Sequence, residues 1–313
     1  MTDAHPIQIG LVLPTWPRRD RTYATWPELR ALARDAEALG IDTLWAPDHL
    51  QRTVGKERIG FWECWTIVTA LAEATTTIGI GPHVACTGFR NPALLAKMAV
   101  TLDEVSGGRL TLGLGSGVPE RDRSWAAFGF DPKRPIARYA ESVEVVVRML
   151  RDAPLTFDGE LVQTIDAEIL PWGGRAAGPT VWVAGQGART AAIAARWGDA
   201  INVNIPLAGP DDMATLSAIA LEACVKVGRD PATLDLTGWA RVALDEDGRA
   251  HAREGYLAGE PERVARTILS FADQGLRHLT MYVGDPDDPS KLPALTQPML
   301  ERFVPLLEAI RAG

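Results

Sequence analysis

Short apolar runs alternate along the chain with longer segments in which apolar residues recur at helical spacing. The clearest pair begins at Asn91, a residue type favoured as a helix N-cap, and Pro92 follows it at the first helical position. Helical spacing continues to Val105, and an apolar run over 109–114 then predicts a strand. The same pattern predicts strands over 7–13, 43–46, 78–85, 181–184, 234–244 and 278–283, and a further apolar run that ends at Asn204. It predicts helices over 29–39, 62–73, 138–150, 261–275 and 293–312. Two more helices are predicted, one that begins after Gly187 and one that ends at about residue 227.

Strand and helix alternate eight times in this prediction, which implies a parallel sheet with right-handed crossovers. Eight units favour closure into a (β/α)8 barrel, a TIM barrel, over an open doubly wound sheet. No glycine-rich fingerprint follows the first strand, which argues against a Rossmann fold. We therefore expect one barrel domain over residues 1–313, with a polar loop over 245–259 and insertions over 16–26, 118–137 (irregular) and 155–171 (a hairpin around Asp158-Gly159).

The charge balance limits the partners of this chain. Its 313 residues include 40 Asp and Glu against 32 Lys and Arg, a formal net charge of -8. Nucleic-acid binding requires clustered cations, so no nucleic-acid partner is expected.

The three cysteines have no metal-ligand spacing and fit a reducing compartment. Without a secretory leader or a run of about 18 apolar residues, the sequence predicts a soluble cytoplasmic protein with no membrane association.

The segment GQGA at 185–188 lies between a predicted strand and an alanine-rich helix. Glycine permits positive φ and a close approach of the backbone to a ligand. The unpaired N–H groups and the dipole of a helix N-terminus attract an anion, most often phosphate, and Arg189 and Thr190 add a charge and a hydroxyl. A tight turn with glycines for geometry alone is the alternative, and the repeated strand and helix units around the segment favour the anion site.

In a barrel the active site forms at the carboxyl ends of the strands. The side chains expected there suit a planar cofactor that carries a phosphate and lies across the barrel mouth. His49 is the candidate proton donor or acceptor, because histidine exchanges protons near neutral pH. In chain order the set is Asp48, His49, His83 to Cys86, Ser116, Gly117, Gly185 to Arg189, Asn202, Asn204 and Tyr282.

Alternative interpretations of these residues stay open. His49 also fits a loop histidine that the backbone satisfies, and Asp48 fits a cap on a turn. Ser116 lacks the spacing of a hydrolase nucleophile elbow, and residues 120–123 are typical of a solvated loop. No metal site is expected, because no ligand spacing connects His5, His251 and His278. The tryptophans expected to line a pocket are Trp16, Trp45 and Trp125.

The segment NPALLAKMAVTLDEVSGGRLTLGLGSG at 91–117 resembles the luciferase-like monooxygenase superfamily of flavin and deazaflavin enzymes. Three other stretches agree in order, namely WAPDH at 45–49, VAGQGARTAAIAARWGDAINVN at 183–204 and GEPERVA at 259–265. The resemblance implies a (β/α)8 barrel with insertions, usually a homodimer, that binds FMN or coenzyme F420 by its phosphate. The phosphate loop it implies consists of Gly185, Gln186, Gly187, Ala188 and Arg189.

The Asp48-His49 pair is similar to the F420-dependent branch of that superfamily. By that likeness Asp48 contacts the cofactor and His49 is the catalytic acid or base. The same branch often has a non-proline cis peptide behind the ring, which maps to His83-Val84, and Ser116 and Gly117 complete the implied cofactor contacts. Sugar-phosphate dehydrogenases of the branch carry an acid at the position of Val118, which leaves Glu120 or Asp122 as substitutes.

The leading hypothesis is a coenzyme F420-dependent oxidoreductase that transfers a hydride between the deazaflavin and a small organic substrate. One alternative is a reduced-FMN-dependent monooxygenase served by a separate flavin reductase. Another is a flavin-binding protein without turnover. The three insertions are where substrate specificity is expected to lie.

Overall fold

The computed structural model describes residues 7–18, 20–205, 211–244, 256–283 and 295–313. His5, His251, residues 209–210 before a predicted helix, most of the predicted loop at 245–259 and the start of the last predicted helix lie outside these ranges. No helix within them is both long and apolar enough to cross a membrane.

The described elements follow the predicted alternation. The strands are β1 (Gln8–Val12), β2 (Thr43–Ala46), β3 (Gln51–Val54), β4 (Glu57–Gly60), β5 (Gly79–Pro82), β6 (Ala85–Cys86), β7 (Thr111–Gly115), β8 (Leu155–Asp158), β9 (Gln163–Ala167), β10 (Thr180–Ala184), β11 (Ala200–Asn204), β12 (Asp235–Ala243), β13 (Leu257–Ala258) and β14 (Leu276–Val283). The helices are α1 (Trp26–Ala38), α2 (Cys64–Ala74), α3 (Pro92–Val105), α4 (Ser124–Ala127), α5 (Pro135–Asp152), α6 (Ala188–Trp197), α7 (Asp211–Val227), α8 (Pro261–Asp273), α9 (Gln297–Leu300) and α10 (Phe303–Ala312).

Parallel pairing joins the strands of the main sheet in the order β5, β2, β1, β14, β12, β11, β10, β7 and β6. β5 and β6 are two pieces of one interrupted strand. The Ile80 amide of β5 donates to the Arg109 carbonyl beside β7 at 3.1 Å, so the two ends of this order meet. The predicted (β/α)8 barrel is therefore confirmed as a nearly closed barrel of parallel strands with helices outside it.

Two tryptophans fill the centre of the barrel, and glycines on neighbouring strands make room for them. Trp45 on β2 and Trp182 on β10 are buried, with ring centroids 4.8 Å apart. A Cβ on Gly81 of β5 would lie 2.6 Å from the Trp45 ring, and one on Gly10 of β1 would collide with its indole nitrogen. Close packing therefore requires glycine at both positions.

The structure differs from the sequence-based prediction in four places. The irregular insertion at 118–137 contains α4, and α5 begins at residue 135 instead of 138. The β3–β4 hairpin is not predicted, although Gly55 at its turn, with φ of 60°, is a local signal for it. β13 lies within the predicted polar loop and pairs with β12. The last predicted helix divides into α9 and α10, because Pro305 has no N–H donor and is accommodated in the first turn of a new helix.

Candidate active site

A cleft of about 380 Å³ opens at the carboxyl ends of the barrel strands, a volume within the range of cofactor and small-molecule sites. Of the predicted residues, those that line it are Asp48, His49, His83, Val84, Cys86, Ser116, Gly117, Gly185, Gln186, Asn202, Asn204 and Tyr282. Ala188 and Arg189 begin α6 beside it. Sequence reasoning did not select Arg52, Val118 or Trp239 for the site, and it offered Asp122 only alongside Glu120, as a substitute for an acid at position 118.

The expectation about the tryptophans is wrong. Trp16, Trp45 and Trp125 are all buried in the interior, and Trp239 on β12 is the tryptophan of the cleft. Trp125 instead packs on Phe89, at 5.3 Å between ring centroids. Apolar side chains near loops become buried when other loop segments cover them. The sequence pattern alone does not show which segments do so.

The interrupted third strand places a cis peptide at the floor of the cleft. The bond between His83 and Val84 is cis, which confirms the prediction. Val84 projects towards β7, where a Cβ on Gly113 would lie 2.9 Å from its Cγ1 and one on Gly115 would lie 2.5 Å from its Cγ2. The glycines of β7 therefore make the space that the cis peptide segment occupies.

The glycine segment before α6 has the geometry of an anion site. Gly185 and Gly187 have φ of 149° and 87°, and Gly187, the N-cap of α6, has no side chain to cap the helix. The Gly185 amide donates to the Asn202 carbonyl at 3.0 Å, and Gln186 Nε2 donates to the Asn204 carbonyl at 2.8 Å, so β11 holds the segment in place. Phosphate binding at this segment stays a prediction.

His49 forms a pair with a carboxylate from the long insertion. His49 Nδ1 lies 2.7 Å from Asp122 Oδ2, and the His49 side chain is 28% exposed whereas that of Asp122 is 4% exposed. Burial acts to raise the pKa of Asp122, but the hydrogen bonds from His49 and Ser124 outweigh it and hold that pKa below its ordinary value. Glu120 is exposed, so of the two candidate acids Asp122 is the one beside His49.

Ser124 ties the same insertion to the chain that follows His49. Its Oγ accepts from the amides of Leu50 at 3.2 Å and Gln51 at 3.1 Å, and it donates to the Gln51 carbonyl at 3.1 Å. Asp122 and Ser124 therefore hold the His49 loop from two sides. Of residues 120–123, typical of a solvated loop in sequence, Asp122 is buried and lines the cleft, whereas the other three are exposed.

Asp48 makes buried contacts within the protein. Its carboxylate receives a bidentate contact from Arg90, at 2.5 and 3.1 Å, and the Cys86 amide donates to it at 2.9 Å. Burial raises the pKa of the Asp48 carboxyl, and Arg90 and the Cys86 amide act in the opposite direction. These contacts anchor the β6 end of the cis peptide segment. The predicted cofactor contact of Asp48 stays a prediction.

Lowering the pH from about 6.5 to about 4 is expected to destabilise the fold. Burial lowers the pKa of His83 to about 4, and burial together with His83 lowers that of His278 to about 3. The unfolded chain takes up protons near pH 6.5 while the folded protein does not. The free energy of unfolding therefore falls with decreasing pH, by up to about 1.4 kcal/mol per pH unit for each histidine. Denaturant midpoints measured across this range test it.

In that measurement the variant His278→Gln should lose about half of the slope, because one of the two protons is removed. A wild-type denaturant midpoint that does not change between pH 6.5 and 4 would contradict the burial of neutral histidines.

Within the described ranges no group of three or more His, Cys, Asp or Glu side chains is arranged to hold a metal ion.

The cleft lies where (β/α)8 barrels carry their active sites, at the carboxyl ends of the strands. The chain belongs to the luciferase-like monooxygenase family, whose model matches residues 7–269. This membership agrees with the motifs at 45–49, 91–117 and 183–204.

Two named relatives illustrate what the chain is similar to. Over 249 residues it is 27% identical to a 5,10-methylenetetrahydromethanopterin reductase of Archaeoglobus fulgidus, a match that covers 79% of this chain and 67% of the reductase. Over 271 residues it is 30% identical to a 4-hydroxyprotoasukamycin monooxygenase of Streptomyces nodosus subsp. asukaensis, covering 83% and 67%. The chain thus spans about two thirds of the length of these relatives.

A solved structure supports the fold. An F420-dependent secondary alcohol dehydrogenase in complex with an F420-acetone adduct matches with a TM-score of 0.79 at 19% identity, covering 97% of this chain and 99% of the other. The two proteins therefore share a fold over nearly their whole length.

Proposed function

We propose that this protein is a coenzyme F420-dependent oxidoreductase that transfers a hydride between the deazaflavin and a small organic substrate. The observation that carries the proposal is the His49–Asp122 pair at the cleft, which provides a positioned proton donor or acceptor. The similarity of the Asp48-His49 pair to the F420-dependent branch and the shared fold with an F420-dependent dehydrogenase support the choice of coenzyme.

Asp122 determines which nitrogen of His49 exchanges a proton with substrate. Its depressed pKa keeps Asp122 ionised at neutral pH, and a carboxylate only accepts hydrogen bonds, so His49 Nδ1 carries the hydrogen of that contact. His49 Nε2 is then the atom that holds or releases a proton towards the cleft. Protonating a carbonyl oxygen, or deprotonating an alcohol, accompanies hydride transfer to or from the adjacent carbon.

The residues of the cleft fit the coenzyme. A Cβ at Gly187 would meet no atom within 4 Å, so the space in front of α6 is open for an anion held by main-chain amides. Val84 gives the lining of the cleft an apolar side chain against which a planar ring could pack. When bound, the deazaflavin supplies the hydride chemistry, and the protein contributes position and proton transfer.

The wall of the cleft also bears on the substrate. Val118 lines the cleft where the resembling sugar-phosphate dehydrogenases carry an acid. Because Asp122 already binds His49 Nδ1, it does not act as a second independent acid. We therefore propose that the substrate is a small carbonyl or alcohol compound and not a sugar phosphate.

A reduced-FMN-dependent monooxygenase is the second candidate. The 30% identity to a named monooxygenase over 83% of the chain favours it. In that case a separate flavin reductase would be the partner.

Two further expectations from the sequence, a homodimer and a cytoplasmic location, stay predictions.

Separate titrations of the purified protein with F420 and with FMN test the proposal. We expect F420 to bind at least about 10-fold more tightly than FMN in either redox state, a difference of about 1.4 kcal/mol. Reduction or oxidation of F420 by a panel of aldehydes, ketones and alcohols should follow at its absorbance band. Tight binding of FMN alone, with oxygen consumption when substrate is added, would reject the proposal and support the monooxygenase.

A further inference from the structure

Among the described residues, the hydrogen bond from Nδ1 to Asp122 Oδ2 is the one that the His49 ring makes. One hydrogen bond fixes one point of a ring, so the imidazole can still pivot about that point. The His49 side chain is 28% exposed, which leaves room for the pivot. Because Nε2 must point towards the cleft for proton transfer, a second contact is needed to hold the ring in one orientation.

Phe61, which follows the β3–β4 hairpin, makes a second contact with the His49 ring. The two ring centroids lie 5.3 Å apart, and the ring planes are tilted by 55°. Aromatic rings at this separation attract each other in a way that depends on their relative orientation. Phe61 is half-buried and packs against the buried cluster that contains Trp45 and Trp182. The contact therefore links the His49 ring to the interior of the barrel.

The position of Phe61 is itself fixed by neighbouring segments. Its amide donates to the Leu50 carbonyl at 3.2 Å, and the amide of the next residue, Trp62, donates to the Thr15 carbonyl at 2.9 Å. Its ring also contacts that of the fully buried Trp16, at 6.5 Å between centroids. A side chain that is held by backbone hydrogen bonds and by a buried ring can restrain a catalytic residue.

We propose that Phe61 is a positioning residue for His49. Asp122 determines which nitrogen of the imidazole carries the hydrogen, and Phe61 determines the direction in which Nε2 presents the proton. The inference rests on the proposed function, in which His49 is the acid or base, and it adds the residue that connects His49 to the barrel interior. Asp122 comes from the insertion at 118–137, so the two supports of His49 belong to different parts of the chain.

The variant Phe61→Ala is expected to lower kcat about 10- to 100-fold, because a proton donor displaced by about an ångström loses much of its contribution. KM should stay within about threefold, since Phe61 is not among the described residues that line the cleft. The pH profile should keep its wild-type midpoint, because Asp122 still binds Nδ1. Steady-state kinetics with F420 and the carbonyl or alcohol compound that wild type converts measure all three quantities.

Combining this variant with His49→Ala separates a positioning role from a general effect on the cleft. In the His49→Ala background, Phe61→Ala should change the residual kcat by less than about twofold, because no imidazole is left to position. If it lowers the residual kcat as much as it lowers that of wild type, Phe61 acts by another route and the inference is overturned.

NMR tests the orientation of the ring without coenzyme. In Phe61→Ala the order parameter of the His49 Cε1–Hε1 bond should fall below about 0.6, the range of flexible groups. Phe157→Ala is the matched control, because Phe157 on β8 is also half-buried but lies outside the cleft, so the His49 ring should keep its wild-type order parameter. Phe61→Leu is the second variant if the alanine variant does not fold. A smaller change in the same direction is expected, since leucine fills space without a flat ring.

The outcomes separate this inference from the proposed function. A folded Phe61→Ala protein with the wild-type kcat and the wild-type order parameter of His49 would overturn the inference while the proposed function stands. If wild type does not turn over F420, the proposed function fails, and the order parameter alone decides whether Phe61 positions His49.

Discussion

Replacing His49 by alanine is expected to lower kcat about 100- to 10,000-fold, the usual contribution of a positioned acid or base. The Nε2 atom that holds or releases the proton is removed, and water replaces it without the orientation that Asp122 provides. Affinity for the coenzyme should stay within about threefold, because the glycine segment before α6 and the cis peptide floor are untouched. Steady-state kinetics with F420 and a fluorescence titration measure the two quantities.

Glu120→Ala is the matched control for this prediction, because Glu120 is an exposed acid two residues from Asp122 and should leave kcat unchanged. Asp122→Asn should lower kcat and displace its pH profile, since the amide can donate to His49 and favour the wrong tautomer. A wild-type kcat in His49→Ala would mean that His49 is a loop histidine with a structural role.

Replacing Asp48 by alanine is expected to reduce the free energy of unfolding by about 3 kcal/mol. The change removes two contacts to Arg90, whose side chain is 13% exposed, and leaves the solvent-exposed Glu63 carboxylate as the remaining partner of that largely buried charge. It also removes the acceptor of the Cys86 amide next to the cis peptide segment. Chemical denaturation at neutral pH measures the loss.

Glu63 provides the matched control for this second prediction, because it contacts the same guanidinium at 2.8 Å from a side chain that is 41% exposed. Glu63→Gln should cost less than about 1 kcal/mol, as expected for a solvated partner. An equal decrease in the free energy of unfolding for the two variants would show that burial of the Asp48–Arg90 pair does not determine how much it contributes to stability.

Features that depend on neighbouring residues were predictable. β2 has the predicted bounds of 43–46, and α3 begins after Asn91, whose side chain accepts from the Ala93 and Leu94 amides. The turn from β10 into α6 has positive φ at both glycines. In each case a few consecutive residues carry the capping, turn or packing preference that forms the element.

Contacts between distant segments were not predictable in the same way. His49 and Asp122 are 73 residues apart in sequence, and their pairing depends on the path of the insertion and on the Ser124 contacts that close it over the barrel. The same holds for Trp45, which a loop-based interpretation assigns to the pocket and which the glycines of neighbouring strands allow into the barrel centre.

By itself the sequence determined the alternation of strand and helix, and with it the barrel that eight such units form. It also determined the glycine segment before α6 and the side chains at the strand ends. Each of these features depends on the spacing of residues within short segments. Only the tertiary structure decided which of those side chains share a cleft, that Asp122 partners His49, and that Tyr282 contacts His83. These properties arise when parallel strands bring remote residues to one barrel mouth, and pairing, burial and orientation there depend on all the segments at once.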